Sequence, residues 1–373
     1  MTETTEIVAE TATKETVTIE TATESETVTE PPKKGRKGIT GSTVKIIAII
    51  TMFIDHVGAV LLEQIMMKKG LLEQPGGLFA QLAAGNTGNV LLFVFDTITR
   101  CIGRIAFPLF CFFIVEGYFH TRSRVKYCLR LFLFALISEI PFNIATSLSV
   151  TNKSYQSVYF TLLLGLLAIC AREFSGKIKI PVKLSFLKYP MFGLFGAMVW
   201  YLAMQGFVGS FIAGFTGNVY VKQYQIFGKS IVFFNEHFFN GAIVFFVLGV
   251  IVLSICTRKL DKEAVLRESF SWFLPFLCMF VSDLVMTDYG SNGVGLILLM
   301  FTVKKYGKDN FNVLKNGILF ITVMNPMEIF ALPDMFIIRA YNGERGKSMK
   351  YFFYLFYPVH LLLLGLITKA IVG

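Results

Sequence analysis

The stretch KIIAIITMFIDHVGAVLL, residues 45–62, decides how this chain folds. It is long and apolar enough to cross a hydrocarbon core about 30 Å thick as a helix. Asp55 and His56 nevertheless stand side by side within it. Ionisable side chains inside a membrane span are costly and usually mark a functional site. The stretch therefore predicts both a transmembrane helix and a place for chemistry.

The composition places the rest of the chain in the membrane class as well. Of 373 residues, 54% are hydrophobic and only 16% are charged, whereas soluble domains are about 25% charged. We therefore predict an all-α, polytopic membrane protein with about ten transmembrane helices. The predicted spans are 44–62, 98–119, 127–148, 156–171, 190–215, 241–256, 271–287, 291–303, 316–332 and 350–372.

The first residues have the opposite character. Residues 1–30 are almost all Thr, Glu, Ala and Val, with eight glutamates against the single Lys14. Such a segment cannot bury enough apolar surface to fold. The basic, turn-forming joint PPKKGRKG follows it. We predict a disordered, acidic cytoplasmic tail with its joint over 1–38, and one helical membrane domain over 39–373.

Lysine and arginine collect in alternate loops, as they do when the positive loops face the cytoplasm. The alternation predicts a multi-pass protein of the cell membrane with both termini in the cytoplasm, and it explains the net charge of +10 without nucleic-acid binding. Segment 333–350 is an exception, because the alternation places it outside although it carries Arg345 and other basic residues. We interpret it as a binding surface. The predicted inner loops lie at 33–37, 120–130, 177–188, 257–268 and 304–308.

The six cysteines fall inside apolar runs and show no paired CxxC spacing. Neither a disulfide framework nor a metal site is predicted. The sequence also contains no HExxH motif, phosphate-cradling glycine loop or serine-nucleophile motif, so the ionisable residues within the spans are the candidates for chemistry.

Lys45 lies eleven residues before His56 in the first span. That spacing is three helical turns plus about 20°, so the two residues share one face, separated by about 16 Å of rise. One long ligand with a phosphate-bearing end in the cytoplasm and a reactive end in the membrane could touch both, and acyl-coenzyme A is such a molecule. The alternative is that Lys45 snorkels to the inner interface.

Further ionisable and polar residues collect in the outer half of the predicted spans. Arg100 and Arg104 are spaced i, i+4 on one helical face and need acidic partners or an anionic substrate. Glu139 precedes a proline within the third span, and Asp288 and Tyr289 lie near the outer end of the seventh. Ion pairs between helices and substrate binding both remain open for these residues.

His360 is the second histidine at membrane depth, in KYFFYLFYPVHLLLL. A histidine base could remove a proton from an amine or hydroxyl that attacks a thioester. If the imidazole took the acyl group itself, an acyl-enzyme would form. His56 and His360 are therefore competing candidates for the same role.

Several segments taken together resemble the TraX family of integral membrane proteins. They are KIIAIITMFIDHVGAVL, RCIGRIAFPLFCFFIVEGYFHTRS, LISEIPFNI, VYFTLLLGLLAI, YNGERG and KYFFYLFYPVHLL, and they cover residues 43 to 370 in order. The resemblance implies a membrane acetyltransferase that uses acetyl-coenzyme A, because the family's namesake is associated with amino-terminal acetylation of conjugative pilin.

The chain resembles more distantly the membrane acyltransferases that modify surface polysaccharides and heparan sulfate. Those enzymes carry a basic residue, ten intervening positions and a histidine in the first span, which Lys45 and His56 reproduce. Their paired arginines have two residues between them, whereas Arg100 and Arg104 have three.

The predicted function is transfer of an acetyl group from cytoplasmic acetyl-coenzyme A to an amine or hydroxyl near the outer face. The acceptor would be the amino terminus of a pilin-like protein or a surface glycan. No metal is expected, and the oligomeric state stays open. We assign His56 as base or acyl carrier, His360 as the competing base, Asp55 or Asp288 as the orienting carboxylate, Lys45 and Arg104 to cofactor binding, and Arg100, Glu139, Tyr289 and Arg345 to the substrate.

A function of another class is also compatible with these residues. Buried acids and histidines could form the pathway of a proton-coupled transporter for a small substrate. Such a transporter would carry substrate across liposome membranes without consuming coenzyme A.

Overall fold

The computed structural model describes residues 37–372, apart from 74–75, 151–154, 179–180, 206–210, 212–220, 227–228 and 235. Ile39–Gly373 forms one compact unit. The predicted disordered tail lies outside the described residues, except for its last two positions.

The described unit is helical, as predicted, apart from one short hairpin. A π-helix, Val57–Leu62, joins the first two α-helices into one rod, and 3-10 helices occupy Val182–Leu187 and Pro326–Ala331. Strands β1 (Val221–Ile226) and β2 (Lys229–Phe234) pair antiparallel. The α-helices are α1 Gly41–His56, α2 Glu63–Lys68, α3 Gly77–Ala83, α4 Thr87–Gly103, α5 Ala106–His120, α6 Arg124–Ser147, α7 Val158–Ser175, α8 Lys188–Gln205, α9 Glu236–Thr257, α10 Lys262–Ser271, α11 Phe273–Leu284, α12 Gly290–Lys305, α13 Asn310–Met324, α14 Asp334–Ala340 and α15 Lys350–Val372.

Eight helical segments of the described residues are long and apolar enough to cross a membrane, so the predicted number of ten is approximate. The difference lies in α12, with 16 residues, and α13, with 15. α12 packs against α5, α7, α11 and α13, and Val294, Leu296 and Ile297 on it are fully buried. Because protein surrounds it, this helix does not need to match the thickness of the lipid by itself.

α13 and α14 form a hairpin that returns to the end of the bundle where it started. The Arg339 guanidinium at the end of α14 lies 4.4 Å from the ring centre of Phe311 at the start of α13. α13 ends just before Asn325 and Pro326. The helix ends there because proline lacks the N–H that the next turn would need and restricts the backbone of the residue before it. The predicted ninth span is therefore a re-entrant hairpin.

The segment after this hairpin docks on the start of α1. The Ile39 N–H donates to the Ala340 carbonyl at 2.8 Å, and the Gly41 N–H donates to the Glu344 carbonyl at 2.8 Å. The prediction that 333–350 forms an outer loop is therefore wrong for its docked part, because the re-entrant hairpin shifts the alternation of sides by one. We call this end of the bundle the basic end; Lys45, Arg345 and Lys304 lie there.

α15 runs parallel to the rod formed by α1 and α2. Lys45, near the start of α1, lies 5.7 Å from the ring of Phe353 near the start of α15, and Lys68 at the end of α2 donates to the Val372 carbonyl at 2.5 Å. Ile39 and Val372 thus lie at opposite ends of the bundle. The sequence predicted two cytoplasmic termini; from the parallel course of α1 and α15 we instead expect these two described ends to face opposite sides of the membrane.

This geometry predicts the outcome of a topology experiment. An epitope inserted after Gly343, where an added side chain would meet nothing within 4 Å, and an epitope at the C terminus should be cut by protease from opposite sides of sealed vesicles. The positive-inside rule places the Gly343 epitope in the cytoplasm. Cleavage of both epitopes from the same side would contradict the parallel arrangement of α1 and α15.

Candidate active site

The imidazoles of His56 on α1 and His360 on α15 form a hydrogen-bonded pair. His56 Nδ1 lies 2.6 Å from His360 Nε2, and the two rings are nearly parallel, with their centres 4.9 Å apart. The ring of Tyr357 approaches each imidazole edge-on at 5.8 Å. The two histidines that the sequence presented as competing bases are therefore direct partners.

α15 holds His360 from within the helix. His360 Nδ1 lies 2.6 Å from the Phe356 carbonyl oxygen, one turn earlier. Pro358 stands between them and has no N–H, so the Tyr354 carbonyl loses its usual helical donor. The Tyr159 hydroxyl of α7 donates to that carbonyl at 3.2 Å instead. The helix therefore continues through the proline and fixes His360 against its neighbours.

Asp55 points away from His56, towards α4. Its Oδ1 accepts from Arg100 at 2.8 Å and from Arg104 at 3.3 Å. Consecutive helical residues project about 100° apart, so Asp55 and His56 face different helices. The assignment of Asp55 as the carboxylate that orients His56 is therefore corrected, since His360 occupies that position at Nδ1.

A helix break positions Arg104. α4 ends at Gly103 and α5 begins at Ala106, because Pro108 supplies no N–H to the Arg104 carbonyl and its ring would collide with it. The Arg104 backbone N–H donates to the Cys101 carbonyl instead of the Arg100 carbonyl. The Arg100 carbonyl accepts a hydrogen bond from Arg104 Nε at 3.1 Å.

Arg104 bridges two carboxylates. It contacts Asp55 at 3.3 Å and Glu328 Oε1 at 2.9 Å, and its side chain is 12% exposed. The sequence assigned Arg104 to cofactor binding and gave Glu328 no specific role. In the structure, Arg104 with its two carboxylate partners links α1, the α4–α5 break and the Pro326–Ala331 helix.

Arg100 is the more accessible guanidinium, with 30% of its side chain exposed. Besides Asp55 it contacts Glu63 at 3.4 Å, a partner that the sequence analysis missed. The π-helix brings α4 close, because a Cβ on Gly58 would lie 2.3 Å from Thr99 Oγ1 and 3.3 Å from Arg100 Cδ. π-helical segments occur frequently at functional sites.

Gly103 gives a testable measure of this close packing. A Cβ at that position would lie 2.2 Å from Asp55 Oδ1, so Gly103→Ala should displace the carboxylate and lower the free energy of unfolding by about 1–3 kcal/mol. Gly88→Ala is the matched control on the same helix, since its Cβ would meet only Asn86 Oδ1, at 3.9 Å. Denaturant unfolding in detergent would measure both; equal stability of the two variants would contradict the packing.

Asp288 and Tyr289 lie beside this network, in the turn between α11 and α12. Asp288 accepts from the Tyr155 hydroxyl at 3.3 Å. Burial raises the pKa of Asp288 to about 6, and the neighbouring Asp55 carboxylate adds to the rise. Tyr289 has a φ of +64° and its ring stacks on Phe107 at 3.5 Å.

Two of the predicted residues do not bond to the histidines. Asp288 and Glu139 make no hydrogen bond to His56 within the described residues, so Asp288, like Asp55, does not orient that ring. Glu139 lies on α6, where the Ser157 N–H donates to it.

Lys45 lies at the basic end and faces protein. Its Nζ sits 4.6 Å from the ring centre of Phe113 and 5.7 Å from that of Phe353. The Ser42 N–H donates to the Arg345 carbonyl at 3.0 Å, which places the exposed Arg345 side chain near Lys45. The prediction that Arg345 binds an acceptor at the outer face is therefore corrected, because its loop docks at the opposite end.

Comparisons with known proteins add a family and one curated relative. The family model described as TraX protein matches residues 40–205 and 223–368. The chain is 33% identical over 95 residues to the probable fimbrial assembly protein FimC, serogroup H1, of Dichelobacter nodosus, which covers 24% of this chain and 38% of that protein. The chain thus matches well under half of the length of that relative. No solved structure matches the chain.

Proposed function

This chain belongs to the TraX family, and from that premise we propose that it is a membrane acetyltransferase. It moves an acetyl group from acetyl-coenzyme A at the basic end to an amine or hydroxyl that reaches the site from the far end. The observation that carries the proposal is the His56–His360 pair, in which a half-buried and a buried imidazole share a 2.6 Å hydrogen bond within two apolar helices.

The reaction needs one proton acceptor near the thioester. The nitrogen or oxygen of the acceptor attacks the thioester carbonyl carbon, and His56 removes the proton that this atom loses. The carbon–sulfur bond then breaks, and the departing thiolate of coenzyme A takes up the proton. Arg100, with its partly exposed guanidinium, is suited to stabilise the negative charge on the carbonyl oxygen.

Lys45 and Arg345 are suited to hold the phosphates of the cofactor. Both are cations at the basic end, and Lys45 precedes His56 by about 16 Å of helical rise on the same face. Phosphate groups attract closely spaced cations through charge-assisted hydrogen bonds. Arg345, which the sequence assigned to binding the acetyl acceptor, is here assigned to binding acetyl-coenzyme A. Arg104 is left with a structural role as the link between Asp55 and Glu328.

The acceptor proposed here is a pilin-like protein. The curated relative is named a probable fimbrial assembly protein, and the TraX resemblance implies acetylation of a pilin amino terminus. Tyr289 and Glu139 stay candidate acceptor residues, because Tyr289 lies near Arg104 and Glu139 lies on α6 near Tyr357, away from the basic end. Asp288 was assigned as an orienting carboxylate, and we now add it to the acceptor candidates because it also lies near Tyr357.

Ligand-induced stabilisation tests the proposal. Purified protein should be stabilised against heat by acetyl-coenzyme A and by coenzyme A, but not by ATP. Lys45→Met combined with Arg345→Gln should abolish that shift. Lys68→Met is the matched control, because Lys68 lies at the opposite end of the α1–α2 rod. Equal stabilisation by ATP, or none by coenzyme A, would count against the proposal.

One observation favours the second candidate, a proton-coupled transporter. Asp334 is fully buried, and neither of its carboxyl oxygens has a hydrogen-bond partner within the described residues. Such a group can exchange protons along a membrane pathway. Substrate-driven proton uptake by liposomes carrying the protein, lost in Asp334→Asn, would support this function over acetyl transfer.

A further inference from the structure

We propose that His360 is a positioning residue that holds His56 as the tautomer with its hydrogen on Nδ1, leaving the lone pair on Nε2. The inference deepens the proposed function and rests on it for its catalytic meaning. The two histidines are then not rival bases. A chain of hydrogen bonds runs from the Phe356 carbonyl through His360 to His56.

The Phe356 carbonyl decides the first proton. A carbonyl oxygen only accepts hydrogen bonds, so the 2.6 Å contact with His360 Nδ1 requires a hydrogen on that nitrogen. A neutral imidazole carries one such hydrogen, so His360 Nε2 bears the lone pair. His360 is 4% exposed, and burial among apolar groups disfavours a charged ring.

The second proton follows from the first. His360 Nε2 lies 2.6 Å from His56 Nδ1, and two lone pairs at that distance would repel each other. His56 Nδ1 must therefore donate. The remaining nitrogen, His56 Nε2, has no hydrogen-bond partner within the described residues, so it is the atom free to accept a proton from the attacking group.

Aromatic side chains hold the His360 ring in its orientation. The Phe356 ring stacks on His360 at 4.8 Å and the Phe53 ring meets it edge-on at 5.9 Å. The tautomer of His56 depends on this restraint. A rotated His360 would lose its hydrogen bond to the Phe356 carbonyl, and either tautomer of His56 could then form. A partner that fixes the tautomer of a catalytic histidine has a large effect on rate in other enzymes.

Nitrogen NMR tests the tautomer without any reaction. The chain has four histidines, so protein labelled with 15N-histidine in nanodiscs gives few signals, which single replacements assign. We expect His56 to carry its hydrogen on Nδ1. In His360→Phe a mixed or Nε2–H population should replace it. His120→Gln, at an exposed site near Glu116, is the control and should leave the His56 signals unchanged.

Kinetics supply the second readout. His360→Phe should lower kcat by about 10²–10⁴-fold with little change in KM for acetyl-coenzyme A. His360→Gln should recover part of the loss, because its side-chain oxygen can accept from His56 Nδ1. Wild-type protein with the hydrogen on His56 Nε2 would overturn the inference, as would an unchanged tautomer in His360→Phe. If the protein shows the Nδ1–H tautomer but no acetyl transfer, the proposed function is contradicted and the role of His360 in fixing the His56 tautomer is not.

Discussion

Replacement of His56 by alanine is expected to lower kcat for acetyl transfer by about 10²–10⁴-fold, the usual contribution of a positioned general base. The reason is specific to the site, since His56 Nδ1 is occupied by His360 at 2.6 Å and the ring has one nitrogen left for chemistry. The measurement is transfer of labelled acetyl from acetyl-coenzyme A to a peptide amine or to water.

Donor binding should survive this change. Lys45 lies about 16 Å away along the helix, so the thermal shift induced by coenzyme A should be the same in His56→Ala and wild type. His120→Ala is the matched histidine control, because His120 is exposed and its bonding partner among the described residues is Glu116 of its own helix. Unimpaired transfer by His56→Ala would remove this residue from the mechanism.

Replacement of Arg104 by methionine is expected to lower the free energy of unfolding by about 3–5 kcal/mol, the range for breaking a buried ion pair from one side. Asp55 and Glu328 would lose the guanidinium that they share, and the Glu328 side chain is only 1% exposed. Denaturant unfolding in detergent would measure the loss. Arg122→Met, at an exposed loop position, is the control.

A double variant separates the lost pairing from the lost packing. Arg104→Met with Glu328→Gln removes both a guanidinium and one of the carboxylates it neutralised, so it should be more stable than Arg104→Met alone. Additive losses would mean that the two residues do not interact. A loss below about 1 kcal/mol in Arg104→Met would place the pair among weak surface ion pairs.

Several features of the site were predictable from local sequence. The helical repeat places Lys45 and His56 on one face of α1, and the structure shows both facing α15 through Phe353 and His360. Pro108 lacks the N–H that the Arg104 carbonyl would need, so local sequence alone accounts for the helix break at Arg104. Both inferences involve residues within a few turns of each other, where backbone geometry alone sets the outcome.

The partners of those residues were not predictable in the same way. Asp55 was expected to serve His56, its neighbour, yet it pairs with two arginines of α4. Arg345 was expected at the outer face, yet its segment docks on residues 39–42. An apolar run of sequence does not distinguish a spanning helix from a re-entrant hairpin, and one such hairpin reverses the side of everything that follows it.

The sequence by itself determined that this protein is a helical membrane protein with ionisable groups at depth, because the cost of burying unpaired backbone in lipid leaves helices as the solution for such apolar runs. Only the tertiary structure decided that the imidazole of residue 56 meets that of residue 360, 304 positions away. The physical reason is that helix formation is local, whereas the choice of neighbouring helix depends on side chains that fit across the bundle. The packing of α1 against α15 converts two separate histidines into one site.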